Sequence, residues 1–70
     1  MKADPPTLFG VYSYHLNAAI RAYDKFFDGR ASSHTRQYAR MDNDLHVSCC
    51  EAIEPYLTPD QIKPVPRCPS

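Results

Sequence analysis

The apolar positions of the first third of the chain recur at helical steps. From Phe9 they run Phe9, Tyr12, Leu16, Ala19, Tyr23 and Phe26, alternating spacings of three and four. A second row, Leu16, Ile20, Tyr23 and Phe27, lies beside the first, and at 100° per residue the two rows form a stripe about 120° wide. Ser13, Asn17, Arg21, Asp24, Lys25 and Asp28 take the opposite side. Asp4-Pro5-Pro6-Thr7 reads as a helix start, because Asp caps free N–H groups and Pro is preset for the first turn. Gly29 offers the left-handed residue that closes a helix. The pattern predicts a first helix over about 5–28, with Gly10 its weak point.

Gly29-Arg30-Ala31-Ser32-Ser33 is a short link, with Ser32 or Ser33 as the next cap. His34, Tyr38, Met41, Leu45, Ser48 or Cys49, Ala52 and Tyr56 then repeat at helical steps, and Pro55 stops or kinks the helix near Glu54. This predicts a second helix over about 33–54, returning antiparallel to the first, with Leu16 and Leu45 near the middle of the two seams. Thr58-Pro59-Asp60-Gln61 fits a capping box for one short turn. Pro64, Pro66 and Pro69 enforce an extended tail over 58–70. The expected architecture is all-α, a single domain of residues 1–70 built on an antiparallel two-helix hairpin with a short Pro-rich C-terminal tail.

Composition adds a constraint. Leu, Ile, Val and Phe make up 13 of 70 residues, so the core is thin and wants a metal, disulfides or a second copy of the chain. Helix 1 shows more apolar surface, Phe9, Phe26 and Phe27 included, than one neighbouring helix hides. Pairing two hairpins into a four-helix bundle removes that surface from water, which predicts a homodimer. The alternative is a monomer whose tail folds over the second row. The residues expected in the core or dimer contact are Phe9, Tyr12, Leu16, Ile20, Tyr23, Phe26, Phe27, Met41 and Leu45.

The formal net charge is zero, which argues against a general nucleic-acid binder or an anionic-membrane binder. No apolar run reaches the length of a membrane span or a signal-peptide core, so a cytoplasmic location is expected.

Little points to chemistry. His46 and Cys50 stand four apart, and Cys68 is available as a third zinc ligand, but paired CxxC spacing is missing. The simpler expectation puts Cys49 in the seam and leaves Cys50 and Cys68 as free thiols outside it. Asp42-Asn43-Asp44 resembles the opening of a calcium loop without its Gly and closing Glu. His15, His34 and His46 have no nucleophile at a recognisable spacing, and are expected on the surface or in the seam. The reading is a non-enzyme with no cofactor and no metal.

Arg30, His34, Arg36 and Arg40 gather around the link and the start of helix 2. A small dimeric DNA-binding regulator is therefore the alternative function. Against it, helix-turn-helix readers pair a short first helix steeply with the second, and Asp42, Asp44, Glu51 and Glu54 on helix 2 repel phosphates. Bases near the N-terminus and acids near the C-terminus of helix 2 also oppose its dipole, which marks them as candidates for contact with something else. In an antiparallel dimer the basic end of one helix meets the acidic end of its mate. The functional alternative is a protein-binding surface. Tyr38, flanked in sequence by Arg36 and Arg40, is its leading anchor, with Arg30 nearby and Tyr14 on the polar side of helix 1. Ordinary core packing is the competing role for Tyr38.

In size and in the hairpin layout from Pro5 to Tyr56, the chain resembles the small helical-hairpin inhibitors that temperate phages make against host proteins, the phage anti-activator (anti-quorum-sensing) proteins in particular. The resemblance implies a dimeric hairpin that binds a host LuxR-type transcription activator, and a pilus-assembly ATPase, and inhibits by covering a working surface. It leaves the segment from Pro59 onward unexplained.

Overall fold

A computed structural model describes residues 7–69. The Asp4-Pro5-Pro6 helix start lies outside the described residues. Helix α1 spans Leu8–Phe26 and helix α2 spans Ser33–Ile53, the two packing against each other as a hairpin, with no strand among the described residues.

Thr7 caps α1, its Oγ1 accepting from the Gly10 N–H at 2.9 Å. A β-carbon at Gly10 would stand 3.2 Å from that oxygen, so the glycine makes room for the cap. The end of α1 differs from expectation. No described glycine has a positive φ. The helix closes instead with the Phe27 N–H on the Tyr23 carbonyl, and Asp28 Oδ1 accepts from the Arg30 N–H at 2.9 Å. An Asx turn reverses the chain there without a left-handed residue.

Ser32 caps α2 as expected, Oγ accepting from the Thr35 N–H at 3.1 Å. Pro55 then tightens the chain into a 3-10 turn over Glu54–Tyr56. At the next turn the Gln61 side chain accepts from the Thr58 N–H at 3.0 Å, one half of a capping box.

The seam is made mostly of small side chains. Tyr12, Ala19 and Ala22 of α1 meet Ala39, Asn43, Val47 and Cys50 of α2, all buried. Alanines let the two backbones approach closely enough for the Asn43 side chain to reach the Ala19 carbonyl of the other helix. Residues 62–69 carry no helix and run back along the hairpin, where Cys68 is buried.

The buried face of α2 differs from the expected one. His34, Tyr38, Met41 and Leu45 are exposed, the last three at 59 % each. The face that packs lies about 160° further round the helix at 100° per residue. On α1, Tyr12 is buried, Leu16, Tyr23 and Phe26 are half-buried, and Phe9, Ile20 and Phe27 are exposed. The reason is geometric: close helix approach selects the alanine rows, which carry less apolar surface than the rows beside them.

Candidate functional site

Asn43 organises the hairpin and the segment after it. It is fully buried, and every polar atom of its amide is engaged. Nδ2 donates to the carbonyls of Ala19 and Pro66, both at 2.9 Å, while Oδ1 accepts from the Cys68 N–H at 3.0 Å. Tyr12 makes a parallel clamp nearer the other end. Its hydroxyl donates to the Lys63 carbonyl and accepts from the Lys63 N–H, each at 2.9 Å. An Arg67–Glu51 ion pair adds an exposed contact.

The three thiols are free. Cys50 and Cys68 are buried and Cys49 is half-buried, so the expected roles of Cys49 and Cys50 are exchanged and Cys68 belongs to the core. Burial pushes the Cys50 thiol above its ordinary pKa, and Cys49, Glu54 and Glu51 push the same way. Cys68 is raised by burial and then by Asp44, with Arg40 opposing. Among the described residues, no three His, Cys, Asp or Glu side chains gather where they would hold a metal ion.

His15 and His46 meet across the seam, Nδ1 to Nδ1 at 2.8 Å. One ring must donate and the other accept. On its other side His46 Nε2 lies 3.5 Å from Asp42 Oδ1. Tyr14 packs edge-on against both rings, centroids 5.2 and 6.2 Å away, while 66 % of it stays exposed.

The proposed binding residues do not form one patch. Tyr38 points away from the hairpin, its ring edge-on to His34 with centroids 4.7 Å apart. It borders an open groove of about 770 Å³ together with Met41, Leu45, Ala22, Arg21 and Lys25. Arg36 and Arg40 are half-buried on another side of α2. They line a separate notch of about 630 Å³ at the hairpin end with Phe26, Phe27 and Pro69. The cause is the helical repeat, since Tyr38 stands 160–200° round α2 from each arginine at 100° per residue. Arg36 Nε is buried and donates to nothing among the described residues. Arg30 sits exposed in the link beside Asp28.

Two chemically distinct surfaces result. The notch pairs guanidinium groups with aromatic walls, a match for a carboxylate next to an apolar group. The Tyr38 face is apolar, and covering its three large side chains would stabilise a complex by about 1–2 kcal/mol each.

Sequence reasoning missed Asn43, the His15–His46 contact and the core role of Cys68. The stripe Ala39, Asn43, Val47, Cys50 was there to be read at helical spacing, but its small and polar members lose to Tyr38, Met41 and Leu45 on hydrophobicity.

Comparison with protein-family models, with curated proteins and with solved structures gives no match. No helix among the described residues is long and apolar enough to cross a membrane.

Proposed function

We propose that the chain is a non-enzymatic protein–protein interaction module. It works as a homodimer in the host cytoplasm and inhibits a host regulatory protein by occupancy. The resemblance to phage anti-activator hairpins suggests a LuxR-type activator as the target, with a pilus-assembly ATPase as a second. The observation that carries the reading is the notch at the hairpin end. Arg36 and Arg40, half-buried and one turn apart, line it, and Phe26 and Phe27 form a wall. A carboxylate from a partner pairs with guanidinium groups in charge-assisted hydrogen bonds, and an aromatic wall beside them takes an adjoining apolar group.

The test is capture from host lysate, identification of the partner, and titration of the purified partner with Arg36→Ala and Arg40→Ala variants. Both variants should keep the parental helix content and lose about 1–3 kcal/mol of binding at a hot-spot position. Parental affinity in both moves the binding surface elsewhere, first to Tyr14 and the polar side of α1. Duplex DNA bound in place of a protein, weakening by orders of magnitude between low and moderate salt, establishes the DNA-binding alternative.

A further inference from the structure

Along α2, His34, Tyr38, Met41, Leu45, Ser48 and Ala52 follow strict steps of four and three, and every one of them is exposed. This is a heptad row over 19 residues, on a helix whose other side already packs against α1. We propose that the row pairs with the same row of a second copy, antiparallel, so that two α2 helices form the centre of the dimer and the α1 helices lie outside. The proposal rests on the dimeric part of the reading above and is independent of the host partner.

Side-chain size selects the antiparallel arrangement. With the two-fold axis at the level of Asn43, Met41 faces the mate's Leu45, Tyr38 faces its Ser48, and His34 faces its Ala52. Every layer then joins a large residue to a small one, or two of middle size, and fills to similar volume. A parallel pair would stack Tyr38 on Tyr38 and leave Ser48 and Ala52 facing their own kind across a void. The helix dipoles favour it too. The antiparallel pair sets the two helix dipoles in opposition, whereas a parallel pair aligns them. Its geometry would separate the two Arg36 notches by about 20 Å along the helix axis, one toward each end of the assembly.

Sedimentation on the full chain tests it. The parent should be dimeric at micromolar concentration, and a monomer there overturns both the pairing and the dimeric reading. Met41→Glu and Leu45→Lys should each weaken self-association about a hundredfold or more, with unchanged helix content because both positions are exposed. Mixed one to one, the two variants should dimerise again, since Glu at 41 of one chain faces Lys at 45 of the other in the antiparallel register only. A mixture that stays monomeric refutes the register. Ile20→Lys, on the outer row of α1, should leave the dimer intact. A dimer that survives Leu45→Lys, or is lost with Ile20→Lys, overturns this interface while leaving dimerisation itself standing.

Discussion

Replacing Asn43 with Ala should unlock the segment 62–69 from the hairpin. The substitution removes three hydrogen bonds, to the Ala19 carbonyl, the Pro66 carbonyl and the Cys68 N–H. At about 1 kcal/mol net each, they contribute about 3 kcal/mol. The Ala19 carbonyl keeps its helical partner, but the buried Cys68 N–H is left with none, which adds about 1–2 kcal/mol. The expected loss is thus about 4–5 kcal/mol. The whole stability of a chain this length is about 4–10 kcal/mol. Urea or thermal unfolding followed by circular dichroism reads the loss, and the melting temperature should fall by at least about 15 °C. Amide exchange gives a local reading, with the Cys68 amide slow in the parent and fast in the variant. Asn43→Leu keeps the volume and removes the same bonds, so it should show the same exposed amide. A variant that melts within a few degrees of the parent, with Cys68 still protected, would refute the clamp.

Tyr12→Phe should cost about 1–2 kcal/mol and speed exchange at the Lys63 amide, because one hydroxyl serves both polar groups of that residue. A double-mutant cycle on His15→Ala and His46→Ala should return about 1 kcal/mol of coupling, and additive effects would show that the Nδ1–Nδ1 contact stabilises nothing. Native alkylation read by mass spectrometry should label Cys49 first and reach Cys50 and Cys68 only after denaturant is added. The raised thiols also set a pH dependence. Folded Cys50 and Cys68 keep protons that the unfolded chain releases near pH 8.5, so stability is full below about that pH and falls as pH rises toward the folded values. Urea midpoints at pH 7 and pH 10 check the direction, and a higher midpoint at pH 10 would contradict it.

Local chemistry made much of this fold legible. Ser32 sits where its hydroxyl reaches the Thr35 N–H, Pro55 has no N–H to continue α2, and a short link, residues 27–32, returns the second helix antiparallel. Each of these signals acts within one turn of the residue that carries it. Gly29 shows the limit of such rules. Asp28 turned the chain through its own side chain, so the glycine's conformational freedom went unused.

Which face of α2 turns inward was decided by tertiary structure alone. The sequence offers two rows on opposite sides of that helix, Tyr38-Met41-Leu45 and Ala39-Asn43-Val47-Cys50, and hydrophobicity favours the first. A buried Asn is costly unless all its donors and acceptors are met. Its partners are Ala19, 24 residues before it, and Pro66 and Cys68, 23 and 25 residues after it. No pattern within a helix contains those three backbone groups. Once the chain after Thr58 folds back to supply two of them, the small row packs inward, and the Tyr38 row is left facing out.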